Sequence, residues 1–585
     1  RKGVETRLFT KHSISTRYSY SGVAWYQREI EIPETWRGKH IELHLERAQC
    51  TMVWVDDNLI GSHDNQETEQ NFDISKVAYP GKHKITIRND NSPQRPKHSN
   101  RRYSCSNGIF GEIALWAMDP VYFKEVYVKP YLQEKTARIH MWIGNQTRVN
   151  AWGEITLKAA TLDGNHRVPA KRQRFLVECS RDCKLIEYEM FLGEDVKLWD
   201  EFDPNVYQLE LEMKVTAGDQ TLQDKVNVRF GMREFKCIGT QFAVNGKKVF
   251  LRGDALLHEL FMERTNRNPY CVEDWKEILQ RYKEYGINHL RFHTHVPPKA
   301  LFAAADEVGI YVQAELTLGG GNGMTIAGPD SLDYDPMLEP VMKQRGKEKI
   351  LWLYNHPSFV MLTMGNEING DMTVPKNLVE YLRSFDDTRL YAHGTNHHLR
   401  ASYLLPEDDF WVTEKVSERD NVRGSVSLIY PPVGSVQDEY PRNSLRDYTD
   451  VIKDIPIPVV AHEMGQYETT MNFDEIDRLD LSYEYPGNMY YAKDIMERNG
   501  LCHKEKDFYR DSGKLSALCY REDIETMMRT PGFGGFQIMT LTDIQMAGSA
   551  VTGILDMFFE DKHMVAARDW RCYCSPRVVL LRIGG

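Results

Sequence analysis

The sequence contains no apolar run long enough to cross a membrane. Its longest apolar stretches, 455–461 and 578–581, fall far short of the ~18 residues that a transmembrane helix needs. It also lacks an excess of positive charge, since 73 Lys and Arg against 84 Asp and Glu give a formal net charge of −11. Such a balance does not favour a polyanionic partner. We therefore expect neither a membrane span nor nucleic-acid binding.

Cysteine pairs at metal-ligand spacing are absent as well. Ten cysteines are present, but none forms a Cys-x-x-Cys pair. The close pairs Cys179 with Cys183 and Cys572 with Cys574 have no second Cys or His pair at ligand spacing. We expect ordinary thiols and no zinc site, and a few disulfides stay open if the compartment is oxidising.

The composition and length allow several hydrophobic cores. Hydrophobic residues make up 41% of the sequence, and 585 residues correspond to about three or four domains. Residues 20–128 carry short runs of alternating polarity, which predict strands separated by turns. A jelly-roll β-sandwich is the simplest fold for residues 1–128. Strands at similar spacing across 129–232 predict an immunoglobulin-like β-sandwich. The chain is therefore predicted to be multidomain.

Strand-like and helix-like segments alternate from residue 233 to the end. The strand candidates are 251–253, 287–292, 310–315, 360–365, 390–395, 426–430, 458–463 and 534–541. Alternating β and α segments predict a parallel sheet, and eight strands predict a (β/α)8 TIM barrel over 233–585. A doubly wound open sheet is the competing fold, but the glycine run 319–323 does not open a helix as a phosphate-binding turn would.

Two glutamates occupy the positions where barrel enzymes carry their catalytic groups. Glu367 and Glu463 each close an apolar strand candidate, and about three βα units separate them. The pattern predicts that they face each other from the fourth and seventh strands, at the catalytic end of the barrel. Facing carboxyls are typical of glycoside hydrolysis, in which a protonated one protonates the leaving oxygen and an ionised one attacks or stabilises the anomeric carbon.

Four motifs follow one another along this region: Phe250-Leu251-Arg252-Gly253 with His258-Glu259, then Asn288-His289-Leu290-Arg291, Gly365-Asn366-Glu367 and Pro458-Val459-Val460-Ala461-His462-Glu463. In this order, and behind two β-sandwiches, they resemble glycoside hydrolase family 2, the family of β-galactosidases, β-glucuronidases and β-mannosidases. The resemblance implies that Glu367 is the general acid/base and Glu463 the nucleophile of a retaining double displacement. It also implies that Asn366 binds the sugar 2-hydroxyl and that no organic cofactor is needed.

Further residues are predicted to contact substrate: His258, His293, His295, Tyr430 and Asn396. His258 and Tyr430 resemble family subsite residues, and buried structural roles are their alternatives. The family often has a single histidine after the second strand, so which of the two histidines faces the sugar stays open. Arg291 is predicted to pair with a catalytic carboxylate and to help hold Glu463 ionised. The histidines near Asn396 lack metal-site spacing, and we expect no metal.

Two departures from the family bear on specificity. Residues 311–320 lack the magnesium ligands of bacterial β-galactosidases, and residues 543–550 lack the Asn-x-Lys loop of β-glucuronidases. We therefore predict an exo-acting retaining hydrolase that removes a terminal β-galactoside from an oligosaccharide or glycan. A β-glucuronidase or β-galacturonidase, a β-mannosidase and an α-L-arabinopyranosidase of the same family stay open, as does a non-catalytic carbohydrate-binding protein. A homo-oligomer, a periplasmic or secreted location and a truncation after the barrel are further expectations.

Overall fold

The computed structural model describes residues 14–16, 20, 22–92, 108–179, 183–255, 257, 262, 265, 267–318, 325–396, 403–417, 420–424, 436, 440–480, 484–543 and 551–584. They divide into two units, one of Ser21–Glu234 with Pro340–Phe359 and one of Arg1–Tyr20, Phe235–Glu339 and Val360–Gly585. Among the described residues, no helix combines the length and apolar character of a membrane span.

The first β module of the N-terminal unit contains two antiparallel sheets. One has the strand order Val23–Ile32, Gly81–Asp90, Cys50–Val55, Asn58–His63, and the other Gln70–Asp73, His40–Ala48, Ile109–Met118; a short 3-10 turn covers Glu34–Trp36. Side chains alternate along each strand, so every second residue, such as Leu43 in one sheet and Val53 in the other, enters a common apolar core.

The second β module also has two antiparallel sheets around one core. Their orders are Cys183–Phe191, Thr136–Asn145, Val121–Tyr131 and Arg167–Val177, Ala151–Thr161, Tyr207–Ala217, Gln220–Phe230. The predicted boundary after residue 128 falls inside the strand Val121–Tyr131. The jelly-roll and immunoglobulin-like topologies of the two modules stay predictions.

The other unit is built around a ring of eight parallel strands. In chain order they are Leu251–Asp254, His289–Arg291, Tyr311–Glu315, Phe359–Thr363, Leu390–Ala392 continued by Thr395–Asn396, Trp411–Thr413, Val459–Met464 and Gly535–Ile538. Each pairs with its successor, and the first also pairs with the eighth. This is the sheet of the predicted TIM barrel, and the alternative of an open sheet is wrong.

The sixth barrel strand differs from the prediction. The pattern placed it at 426–430, which lies outside the described residues, whereas the structure forms it at Trp411–Thr413. This short strand pairs in parallel with Val459–Ala461 of the seventh strand and with the second half of the fifth. Three buried residues leave too short a pattern to stand out in a sequence.

Helices connect the barrel strands: Val272–Glu284, Lys299–Val308, Leu338–Trp352, Thr373–Phe385, Thr449–Ile452, Glu475–Asp480, Gly487–Arg498 and Glu505–Arg529, with a 3-10 turn at Cys502–Lys504. A further helix, Ala567–Trp570, follows the eighth strand. The first buries Trp275, Ile278, Leu279 and Tyr282, an apolar stripe at helical spacing. Remaining strands are Phe235–Ile238, Gln241–Val244 and Lys247–Val249 in one sheet, and the pairs Ile14–Thr16 with Glu484–Pro486 and Thr325–Ile326 with Asn369–Gly370.

Candidate active site

The two predicted catalytic glutamates lie at the carboxyl ends of the fourth and seventh barrel strands. Both have left-handed backbones, with φ of 49° at Glu367 and 46° at Glu463. Such a conformation costs about 1–3 kcal/mol for a residue other than glycine, and it persists only where neighbours hold it. The Glu367 N–H donates to Thr395 Oγ1 at 2.9 Å, and Arg423 Nε donates to the Glu463 carbonyl at 3.1 Å.

Asn366 is buried and rigidly oriented beside the acid. Its Oδ1 accepts hydrogen bonds from Arg291 Nη2 at 2.7 Å and from Thr395 Oγ1 at 2.8 Å. With the oxygen engaged twice, the amide orientation is fixed, and Nδ2 has no hydrogen-bond partner among the described residues. The side chain therefore presents an N–H donor, which suits a sugar hydroxyl.

Arg291 is fully buried and pairs chiefly with Glu315, a residue that the sequence analysis did not single out. Its Nε and Nη2 donate to the two Glu315 oxygens at 2.9 and 3.1 Å, a bidentate pair, while Nη1 lies 3.5 Å from Glu463 Oε1. Glu315 also accepts from Thr294 N at 2.7 Å and Thr363 Oγ1 at 3.0 Å. Glu315 ends the third strand, so the pattern that pointed to Glu367 and Glu463, a glutamate at the end of an apolar strand, also applies to Glu315.

Two histidine rings and one guanidinium lie around the Glu463 carboxylate. His462 Nε2 lies 3.3 Å, Arg291 Nη1 3.5 Å and His293 Nε2 3.8 Å from its Oε1. Burial raises the pKa of Glu463, but these neighbours outweigh burial and hold it well below its usual range. Burial and the nearby Arg291 lower the pKa of His293 to about 4. Glu463 is therefore ionised at neutral pH, and the predicted His293 lies against it.

Glu367 has the opposite electrostatic environment. Burial, followed by the negative charges of Glu463 and Glu414, raises its pKa to about 8. At neutral pH one carboxyl of the pair thus keeps its proton and the other does not. Two identical side chains with pKa values pushed apart can act as an acid and a nucleophile in one site.

A further buried carboxylate, Glu414, follows the sixth strand and also escaped the sequence analysis. Arg423 Nη1 donates to it at 2.8 Å, and His462 Nδ1 lies 3.8 Å away. Oxygen atoms of Glu367 and Glu414 and a His462 nitrogen lie within 4.8 Å of one another, the spacing of a small cation site. Arg423 already balances the charge of Glu414, so this group does not call for a cation. Assigning the sixth strand to 426–430 concealed Glu414.

Two other predicted residues make contacts within the protein. The His295 Nδ1 pairs with the carbonyl of His293 at 3.1 Å, and its ring packs edge-on against Phe292. Asn396 Nδ2 contacts His393 Nε2 at 3.1 Å, and its Oδ1 accepts from a backbone N–H of the following loop. Their roles toward a substrate stay predictions, and the predicted His258 and Tyr430 lie outside the described residues.

A lysine reaches the end of the eighth strand from a later part of the chain. Lys562 Nζ donates to Asp543 Oδ1 at 2.9 Å and to Thr469 Oγ1 at 3.2 Å, and all three are buried. Burial raises the pKa of Asp543 to about 6, with Lys562 opposing the rise. The sequence analysis found no lysine in 543–550, and only the fold brings Lys562 here.

Comparison with known proteins gives two adjacent family matches. The model described as "Glycosyl hydrolases family 2, TIM barrel domain" matches residues 235–422, and "Glycosyl hydrolases family 2" matches 121–233. A β-galactosidase of Thermoanaerobacterium thermosulfurigenes is 23% identical over 534 residues, which are 87% of this chain and 67% of that protein.

Two solved structures share the fold. β-Glucuronidase 2 of Bacteroides uniformis, bound covalently to cyclophellitol-6-carboxylate aziridine, aligns with a TM-score of 0.68 at 17% identity over 93% of this chain and 62% of that one. A β-galacturonidase of Eisenbergiella tayi bound to glycerol aligns with a TM-score of 0.70 at 18% identity, over 96% and 91%. The chain thus spans less than two thirds of the β-glucuronidase. Motifs, barrel and family matches agree, and the chain belongs to glycoside hydrolase family 2.

Proposed function

We propose that this chain is an exo-acting, retaining glycoside hydrolase that removes a terminal β-galactoside from an oligosaccharide or glycan. The observation that carries the proposal is the pair of strand-end glutamates with opposed pKa shifts, raised for Glu367 and lowered for Glu463. A retaining double displacement needs one protonated and one ionised carboxyl on opposite sides of the glycosidic bond.

In the first step, a Glu463 carboxylate oxygen attacks the anomeric carbon while Glu367 gives its proton to the leaving glycosidic oxygen. The bond to the leaving group breaks and a covalent glycosyl ester on Glu463 forms. In the second step, Glu367 takes a proton from a water molecule whose oxygen attacks the same carbon. The ester bond breaks, the sugar leaves with its original configuration, and both carboxyls return to their starting states. Asn366 Nδ2 donates to the 2-hydroxyl throughout.

The charge of the site supports a neutral sugar. Both arginines in the described part of the site are engaged by carboxylates, Arg291 by Glu315 and Arg423 by Glu414. A uronic acid would bring another negative charge beside these carboxylates and would need a cation to offset it. A β-uronide is the second candidate substrate, because the similar Eisenbergiella tayi and Bacteroides uniformis structures are a β-galacturonidase and a β-glucuronidase.

The test is release of an aryl group from β-galactoside, β-glucuronide, β-galacturonide, β-mannoside and α-L-arabinopyranoside substrates, with the Glu463→Gln protein as the blank. Cleavage of the β-galactoside by the unmutated protein alone supports the proposal, and cleavage of a uronide instead selects the second candidate. If no glycoside is cleaved, or if Glu463→Gln is as fast as the unmutated protein, the proposal is wrong. Product anomers followed by proton NMR test retention separately.

A further inference from the structure

We infer that the buried ion pair of Glu414 and Arg423 is a positioning device for the nucleophile Glu463, and that Glu414 governs how the catalytic pair shares its proton. The inference rests on the proposed function, because it assigns Glu414 and Arg423 a part in the same reaction. Neither residue belongs to the motifs that identify the family in this chain.

The first observation is that Arg423 joins Glu414 to the backbone of the nucleophile. Arg423 Nη1 donates to Glu414 Oε1 at 2.8 Å, and Arg423 Nε donates to the Glu463 carbonyl at 3.1 Å. Both side chains of the ion pair are buried. Because Glu463 adopts a left-handed φ of 46°, its backbone needs an external restraint to stay in that conformation. A planar guanidinium can hold the carboxylate and the carbonyl at once, whereas a lysine ammonium is a single point of attachment.

The second observation is that Glu414 also lies near His462, the residue that precedes the nucleophile in the chain. The His462 ring lies between two carboxylates, with Nε2 3.3 Å from Glu463 Oε1 and Nδ1 3.8 Å from Glu414 Oε1. Nδ1 is buried and has no hydrogen-bond partner among the described residues. Glu414 is thus linked to Glu463 by two routes, through the Arg423 guanidinium and through the His462 ring.

The third observation is the charge balance of the site. In the described part of the site, four carboxyl groups lie with two guanidinium groups, and the close ion pairs are Arg291 with Glu315 and Arg423 with Glu414. Among the residues that the structure describes, the charged and titratable groups near Glu367 include Glu463 and His462 from the seventh strand, Glu414 from the sixth, Arg423 from the segment that follows it and Arg291 from the second, with His293 next to Glu463.

Neutralising Glu414 would therefore remove a negative charge close to Glu367 and leave the positive charge of Arg423 in place. Losing a negative neighbour while a cation stays nearby favours the ionised form of a carboxyl. Glu367 would then lose its proton at lower pH, and the acid form required for the first step would be depleted. A residue that only filled space would not change this proton balance.

The experiment compares the pH dependence of kcat/KM for the unmutated protein, Glu414→Gln and a matched control, Asp386→Asn, on the best aryl glycoside of the panel. Asp386 forms a buried ion pair with Arg389 at 2.9 Å ahead of the fifth strand, at the opposite end of the barrel strands from the catalytic carboxyls. We expect Glu414→Gln to lower kcat/KM about 10- to 100-fold through misplacement of Glu463 and to move the basic limb to lower pH. Asp386→Asn should lower the thermal midpoint and leave the basic limb in place.

A second variant separates positioning from charge and serves if Glu414→Gln does not fold. Arg423→Lys keeps the positive charge but loses the double attachment, so we expect a lower kcat with an unchanged basic limb. If the unmutated protein is active and Glu414→Gln keeps both the same kcat/KM and the same basic limb, the inference is wrong while the proposed function stands. Wild-type kcat in Arg423→Lys overturns the positioning role. An unmutated protein that cleaves none of the glycosides overturns the proposed function and this inference with it.

Discussion

Turnover should fall as the pH rises above about 8, because Glu367 then loses the proton that the leaving oxygen must receive. Burial and the charges of Glu463 and Glu414 raise the pKa of this carboxyl to about 8. The pKa of Glu463 is held well below its usual range, so the nucleophile stays ionised throughout the neutral region. The free protein therefore holds the productive combination of protonation states over a broad pH plateau.

The size of the fall in kcat/KM follows from the titration of Glu367. Above a pKa of about 8, each further pH unit lowers the protonated fraction of Glu367 about tenfold, and kcat/KM should fall in proportion. An unperturbed glutamate, with a pKa of ~4.3, would place the same limb more than three pH units lower. The position of the limb thus reports whether burial and like charges act on Glu367 as the structure indicates.

The assay is the initial rate of aryl-glycoside hydrolysis across the acidic to alkaline range, with every sample returned to neutral pH afterwards to exclude irreversible loss. Two leaving groups are compared, an acidic nitrophenol and a poorer phenol. The poorer leaving group depends more strongly on protonation, so the total fall in kcat along the basic limb should be larger for it. A rate with that substrate that is constant through pH 10, or that already falls near pH 5, would refute the reasoning.

The same pKa shift affects stability. Since the folded state holds the Glu367 proton more tightly than the unfolded chain, stability falls as the pH rises between the unfolded value of ~4.3 and the folded value of about 8. At about 1.4 kcal/mol per pKa unit, the cost above pH 8 is on the order of 5 kcal/mol. Glu367→Gln should remove this dependence, so its unfolding midpoint in urea should exceed that of the unmutated protein at pH 9 but not at pH 4.

Three further outcomes can be checked. Glu463→Gln should lower kcat by a factor of about 10³ or more with an unchanged circular dichroism spectrum, and near-normal turnover would contradict its role as nucleophile. Arg291→Met should lower the free energy of unfolding, measured in urea, by about 3–5 kcal/mol, because the buried Glu315 loses its bidentate partner. A decrease of less than about 1 kcal/mol would contradict that pairing. Gly365→Ala should lose both stability and activity, since an added Cβ would lie 1.6 Å from the Leu318 carbonyl, whereas Gly239→Ala meets open space and should cost about 1 kcal/mol from its positive φ alone.

The sequence predicted the barrel and its two catalytic candidates because both depend on local patterns. Glu367 and Glu463 each follow a continuous apolar strand, and parallel strands in a barrel place such residues at one end. Glu414 escaped detection because its strand is only three residues long. Arg423 was beyond reach for a different reason: its contacts with Glu414 and Glu463 depend on how a loop returns to the strands.

Which of His293 and His295 lies next to Glu463 also could not be predicted from the sequence. Residues two apart on an extended strand point to the same side, so period-two reasoning treats both histidines alike. Thr294 between them has a left-handed φ of 59°, which breaks the extended conformation. Only His293 is thereby brought within 3.8 Å of Glu463, while the His295 ring pairs with the carbonyl of His293.

The Thr395 hydroxyl has a consequence for how this site would recognise its substrate. It donates to Asn366 Oδ1 and accepts the N–H of Glu367, so one oxygen atom tethers two consecutive residues. Under the proposed function, Asn366 donates a hydrogen bond to the 2-hydroxyl of the sugar and Glu367 donates its proton to the leaving oxygen. A shift of the Asn366 side chain would therefore also shift the backbone of Glu367, because both contact the Thr395 hydroxyl. A 2-deoxy glycoside should for this reason lose one hydrogen bond and also position the acid less well, so that the 2-hydroxyl of the sugar contributes to its own cleavage.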